Sequence, residues 1–145
     1  MPLSDIMAIN IVTVDPGATV SAVATRMVDR RVGSALVCDG PHLLGIVTER
    51  DVLRVVASDA DPQTFPVLDC MTPSPVSAAP EWEIEDAARV MMKRGIRHLP
   101  VTQDGKVAGM VSIRDLLRFG LTATSYGSEG GRRVLEAAAG VLSPV

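Results

Sequence analysis

Two heptapeptides decide how this chain folds: Gly45-Ile46-Val47-Thr48-Glu49-Arg50-Asp51 and Gly109-Met110-Val111-Ser112-Ile113-Arg114-Asp115. Each runs out of a short apolar stretch, passes a hydroxyl residue and reaches a carboxylate three positions later. That spacing is a capping box. The hydroxyl at N-cap and the carboxylate at N3 each accept a backbone N–H of the other, so a strand ends and a helix begins here. The same geometry suits a ligand. A helix N-terminus offers free N–H groups and a positive dipole end, which favour phosphate. A glycine ahead of it lets a ligand approach the backbone. A carboxylate at the helix start can take the hydroxyls of a ribose. On spacing alone both readings stand, and they are compatible.

The two heptapeptides are parts of a longer repeat. Sliding the chain by 64 positions lays residues 5–54 on 69–118 without a gap. Fourteen pairs are identical, among them Asp5/Asp69, Met7/Met71, Pro16/Pro80, Met27/Met91, Gly45/Gly109 and Asp51/Asp115. In each copy Val20, Val23, Ala24, Met27 and Val28, or Ile84, Ala87, Ala88, Met91 and Met92, recur at helical spacing. The methionines read as core packing. Short apolar runs follow, from Ser34 to Cys38 and from Leu99 to Thr102, then the turns Asp39-Gly40 and Asp104-Gly105, then a second strand and a second helix. The fold class is therefore α/β of the α+β kind, two β-α-β-β-α repeats. A unit of about 50 residues hardly stands alone, so the copies are expected to pack about a pseudo-twofold axis. Such an axis makes two equivalent clefts, where ligands tend to sit. The boundaries read as domain 1 over 5–58, a polar linker over 59–68, domain 2 over 69–120 and a tail over 121–145. The tail holds a helix-like run over 130–139 and reads as a swapped arm, a docking segment or disorder.

Composition narrows the function. With 145 residues and 47% apolar content the chain has enough to bury a core without disulfides. A net charge of −3 argues against a nucleic-acid surface, and 3% aromatics nearly exclude a platform of rings for stacking bases. Cys38 and Cys70 stand alone, without CxxC or a Cys/His cluster, so neither a metal site nor a redox pair is expected. They read as reduced thiols of a cytoplasmic protein. The start, Met1-Pro2-Leu3-Ser4-Asp5, lacks a signal-peptide pattern, and no apolar run approaches the ~18 residues of a membrane span. His42 in its turn reads as exposed. Trp82, at a helix start, reads as packed at an edge or interface.

The ordered pattern resembles a tandem pair of cystathionine-β-synthase-type (CBS) domains, a Bateman module. The residues that carry it are Asp5-Ile6-Met7 and Asp69-Cys70-Met71-Thr72, then Val32 to Val37 and Ile96 to Val101, then the two capping heptapeptides. The resemblance covers about residues 5–118. It implies a non-catalytic regulatory module that senses AMP, ADP, ATP or S-adenosylmethionine between the repeats and transmits occupancy to a partner, a regulated enzyme or transporter. It implies no obligatory cofactor. Carried over by motif, one site uses Asp115 on the ribose hydroxyls, Ser112 near the ribose or phosphate, and Arg97 and His98 on the phosphates. Ala8, Thr13, Gly33 and Ser34 line its adenine pocket, with Met110 as a wall. The other site uses Asp51 and Thr48, Ile46 as the wall, and Thr72, Ser77, Arg97 and His98 on the adenine side. Arg97-His98 stands where the first repeat has Gly33-Ser34, so the Asp115 site is expected to favour phosphate.

Family modules commonly dimerise by pairing second helices, and Val52 to Val56 and Leu116 to Phe119 are apolar enough to form such seams. A homodimer is expected. Two other functions compete. An enzyme would need a nucleophile, base and acid, and the two histidines lie far apart in the repeat. A pure interaction module with vestigial ligand sites is the alternative reading, and direct ligand binding separates it from a sensor.

Overall fold

The computed structural model describes residues 1–142. The chain divides into two compact units. The first comprises Asn10–Pro75 with Asp104–Val107, and the second Met1–Ile9, Val76–Gln103 and the chain from Ala108 onward. Each unit holds one repeat, but the segment leading into each repeat belongs to the other unit.

In the first unit the order is β1 (Thr13–Val14), α1 (Val20–Arg30), β2 (Ser34–Asp39), β3 (His42–Thr48), α2 (Glu49–Ala57) and β4 (Thr72–Pro73). β1 runs parallel to β2, while β3 is antiparallel to β2 and β4 antiparallel to β3, so the sheet is mixed. Val12, Val14, Val23, Met27, Ala35, Val37, Val47 and Val67 form its core. Apolar residues at helical spacing give α1 a face for this sheet. Thr19 caps that helix, its side chain accepting the Ala22 N–H. The segment expected to be a bare linker supplies the other caps. The Ser21 N–H donates to the Pro62 carbonyl at 2.8 Å and the Val20 N–H to the Phe65 carbonyl at 2.9 Å. Backbone groups that a helix start leaves unpaired are thus met from residues 62 and 65.

The second unit repeats the plan with α3 (Ile84–Arg94), β5 (His98–Gln103), β6 (Lys106–Ser112, its first residues in the first unit) and α4 (Ile113–Ser125). The parallel first strand is reduced to a single bridge, Ala78 to Val101, at the position of Val14 to Val37. The hairpin turn differs between repeats. Asp104 and Gly105 both have positive φ (54° and 76°), as a two-residue turn between twisted strands requires. In the first repeat only Gly40 does, and the register of its hairpin shifts between Val37 and Cys38.

The leading segments are exchanged in the same register. Thr72 pairs with Ile46 in the first unit, and Ala8 with Met110 in the second. Each pair lies 64 residues from the other. The match extends ahead of residue 5: the Ile84 N–H donates to the Met1 carbonyl as that of Val20 does to Phe65, and the Leu3 N–H to the Trp82 carbonyl as that of Val67 does to Ala18. Pro2 and Pro66 are the identity that signals it.

The tail expected over 121–145 carries the end of α4 and then α5 (Glu129–Leu142); residues 143–145 lie outside the described residues. Val134, Ala137, Ala138 and Val141 of α5 are buried in the same core as Leu3, Met91, Leu99, Val111 and Leu116. This helix rests on α3 and α4. The contact is close because glycines allow it: a Cβ on Gly131 would lie 2.6 Å from the Ala123 Cβ. Arg133 donates to Glu85 of α3 through Nε (2.9 Å) and Nη2 (3.2 Å). The methionine stripe read as core is so only in part. Met27 and Met91 are buried, but Met92 is 42% exposed.

Candidate functional site

Both capping boxes form. The Thr48 N–H donates to Asp51 Oδ2 at 2.8 Å, the Thr48 hydroxyl donates to the same oxygen at 3.0 Å, and the Asp51 N–H returns to Thr48 Oγ1 at 3.4 Å. At the second motif the corresponding distances are 2.8, 2.9 and 3.2 Å. One carboxylate oxygen of each aspartate is thus committed to its helix. The other, Oδ1, is what a ligand could use. At Asp51 it faces Arg54 at 3.7 Å, an ion pair whose arginine is 71% exposed and therefore weak. At Asp115, Oδ1 has no hydrogen bond or ion pair among the described residues.

The helix N-termini offer less than their sequence implies. The Glu49 N–H, first in α2, donates to the Gly33 carbonyl at 3.1 Å, and the Ile113 N–H, first in α4, to the Arg97 carbonyl at 2.8 Å. The third N–H of each helix is taken by the capping hydroxyl. Only the second, of Arg50 or Arg114, is without a partner among the described residues. These backbone bonds seat residues 33 and 97 at the helix starts, which is how Arg97 comes to stand beside the Asp115 motif.

The expected role of the two glycines is corrected. A Cβ on Gly45 would fall 2.4 Å from Met71 Sδ and 2.9 Å from the Thr72 carbonyl oxygen. On Gly109 it would fall 2.8 Å from the Ala8 carbonyl oxygen and 2.8 Å from Met7 Sδ. The space a glycine clears is filled by the exchanged leading segment, not kept for a ligand. Met7 and Met71 were missed as positioning residues. Their identity across the repeat, and their place in the entry segments that carry the resemblance, were the signals.

The second unit gathers Ala8, Ser77, Arg97, His98, Met110, Ser112 and Asp115, and the first gathers Thr13, Gly33, Ser34, Ile46, Thr48, Asp51 and Thr72. Within the second, Ala8 and Met110 exchange both backbone hydrogen bonds (2.8 and 3.0 Å), and the Thr102 hydroxyl donates to Ser77 Oγ at 3.4 Å. Within the first, Ser34 lies opposite Thr48, and Thr13 opposite Leu36. The two sets differ in charge. Arg97 and Arg114 are exposed, and neither guanidinium has a partner among the described residues. Where Arg97 stands, the first set has a glycine. Its neighbour Ser34 is 7% exposed.

A surface groove of about 490 Å³ lies elsewhere on the second unit, lined by Trp82, Val90, Arg89, Lys93 and three carboxylates, and holds none of the expected site residues. Trp82 is half-buried there. Among the described residues no group of three or more His, Cys, Asp or Glu is placed to hold a metal, and no helix is long and apolar enough to cross a membrane. Burial pushes the thiols of Cys38 and Cys70 up from their ordinary pKa, at Cys70 with help from Asp51 and Asp69.

Known proteins share this arrangement. YhcV of Bacillus subtilis, a CBS domain-containing protein, is 34% identical over 127 residues, spanning 87% of this chain and 90% of its own. A CBS domain protein of Pyrobaculum aerophilum, solved in complex with AMP, is 31% identical with a TM-score of 0.75, covering 80% of this chain and 90% of that one. CBSX2, also solved with AMP, is 28% identical at a TM-score of 0.75 and covers 85% and 98%. The CBS domain family model matches twice, at residues 3–58 and 67–121. With the mixed fold, the paired capping motifs and these matches together, the chain belongs to the CBS domain family and carries the domain as a tandem pair.

Proposed function

We propose that this chain is a non-catalytic regulatory module that senses an adenosine nucleotide, of the AMP or ATP type, or S-adenosylmethionine, acts as a homodimer in the cytoplasm, and transmits occupancy to a regulated enzyme or transporter. The observation that carries the nucleotide reading is the Asp115 motif. A carboxylate held rigidly by its own capping box keeps Oδ1 open for a ribose hydroxyl, and Arg97, unpaired, stands at the same helix start for a phosphate. Met110, paired to Ala8, supplies an aliphatic wall in a protein with almost no rings. Two structural relatives are solved with AMP, which supports the same ligand class here.

The Asp51 motif, with Thr48, Ile46 and Thr72 of the same unit, is a second candidate, less cationic at its helix start. Its carboxylate faces Arg54 and it has glycine where Arg97 stands, so a less charged ligand suits it.

Isothermal titration with AMP tests the assignment. Asp115→Asn keeps an oxygen for the cap and removes the charge, so it is expected to weaken AMP by about tenfold or more while melting within a few degrees of wild type. AMP binding to Asp115→Ala and Asp115→Asn as tight as to wild type would refute it. If neither AMP, ATP, S-adenosylmethionine nor NADH raises the melting temperature, the interaction module with vestigial sites is the correct reading.

A further inference from the structure

The groove beside α3 lies outside the ligand motifs, and its lining is peculiar to the second repeat. Trp82 and Val90, both half-buried, are its apolar part, and it holds about 490 Å³. Counting back 64 residues puts Ala18 and Arg26 at these places. On the first unit the Arg26 guanidinium reaches across to donate to the Thr13 carbonyl. Val90 has no such reach, and Trp82 brings an indole where the first repeat has a methyl group. The repeat thus shows that the fold itself needs neither the tryptophan nor an open groove here. A large aromatic side chain left half in solvent, on a surface the same fold can do without, marks a contact with another molecule.

Charge indicates the kind of molecule. The groove runs along α3 from Glu81 and Glu83, just ahead of the helix, to Lys93 in its last turn. From Glu83 to Lys93 the helix rises about 15 Å, or about three turns. Midway, Asp86 and Arg89 pair with each other at 3.0 Å, and Glu83 holds the Met1 ammonium at 2.5 Å. At the two ends Glu81 and Lys93 are exposed, opposite in sign and without an ion-pair partner among the described residues. A matching occupant is apolar along its middle, basic where it meets Glu81 and acidic where it meets Lys93. The Trp82 ring adds to the attraction for a cation at the first end. An amphipathic helix laid antiparallel to α3 has this order of charge by its own nature, since acidic residues stabilise a helix start and basic ones a helix end. A second copy fits poorly. A twofold contact would set the groove against its own image, concave against concave, with no side chain projecting to fill it.

We infer that this groove is where an amphipathic helix of a partner protein docks, antiparallel to α3, its basic end at Trp82 and Glu81 and its acidic end at Lys93. This rests on the regulatory reading and names the surface through which a partner is engaged. A display library of helical peptides of about three turns, randomised along one face, tests it against the purified full chain. Enriched peptides are expected to carry an aliphatic stripe, acidic residues in the first turn and basic ones in the last. They are expected to shift the fluorescence of Trp82, the only tryptophan in the chain. Val90→Arg, which installs the first repeat's own residue, is expected to weaken an enriched peptide by at least roughly tenfold, with far-UV spectrum and AMP affinity unchanged. Lys93→Glu is expected to weaken it likewise and to be rescued when lysine replaces the first-turn acids of the peptide. Enrichment no greater than on Val90→Arg, or an unmoved Trp82 emission, refutes docking in the groove. Enriched peptides with the reverse order of charge, or indifferent to Lys93→Glu, refute the orientation. A sedimentation mass lower for Val90→Arg than for wild type overturns the proposal and assigns the groove to a second copy. Titration of the same wild-type protein with AMP reads the nucleotide site separately, so a failure of the sensor and a failure of the groove are told apart.

Discussion

Gly109→Ala tests the claim that the motif glycines exist to admit the exchanged leading segment. The new Cβ would stand 2.8 Å from the Ala8 carbonyl oxygen, 2.8 Å from Met7 Sδ and 2.9 Å from Met7 Cγ. Met7 can swing aside. The carbonyl cannot easily, because Ala8 and Met110 hold each other through two backbone hydrogen bonds. Overpacking of this kind costs about 1–3 kcal/mol. Replacing glycine by alanine returns about 0.4–1 kcal/mol by restricting the unfolded chain. The net expectation is a loss of about 1–2 kcal/mol, or a melting temperature lower by roughly 3–6 °C for a chain of this size. Urea and thermal unfolding read it directly. A Met7→Ala, Gly109→Ala double variant separates the two contacts, since it removes the side-chain clash and leaves the carbonyl, so the cycle should show favourable coupling between the two substitutions. A Gly109→Ala protein as stable as wild type, or additive behaviour with Met7→Ala, would refute the reasoning.

Other consequences follow from local geometry. Arg31 ends α1 at φ 54°, where the second repeat has Gly95 at φ 64°, so Arg31→Gly should stabilise by about 0.5 kcal/mol and Gly95→Ala should cost about 1 kcal/mol, both read by chemical denaturation. The Arg133 guanidinium holds the Glu85 carboxyl below the ordinary carboxylate range. A lowered folded pKa contributes stability that is complete above the unfolded value and lost as pH falls through the folded one. Melting curves taken from pH 6 downward should therefore show an acid-side loss in wild type that is smaller in Glu85→Gln. Burial raises both thiols, so Cys38 and Cys70 should alkylate more slowly near neutral pH than a free thiol and reach the free rate only on unfolding, as mass spectrometry would show.

Much of this was legible in the chain. The 64-residue repeat and the capping pattern fixed strand ends, helix starts and the aspartates Asp51 and Asp115, because caps and amphipathic periodicity are local and depend on residues three or four apart. The asymmetry between Arg97 and Gly33 was legible too, being a substitution at aligned positions. Other features depend on contacts far apart in sequence. The exchange of leading segments joins Ala8 to Met110, and that contact, not a ligand, explains the glycine. The linker acts as the cap of α1 only once it has folded back on Val20 and Ser21. Met92 and Val28 read alike as helical apolar residues, yet packing left one against α5 and the other in solvent. The sequence alone determined the repeated unit and its capping boxes, since short-range pairing carries that information. Only the tertiary structure decided which repeat each segment completes and which face the last helix occupies, since burial is settled by competition among apolar surfaces across the whole chain.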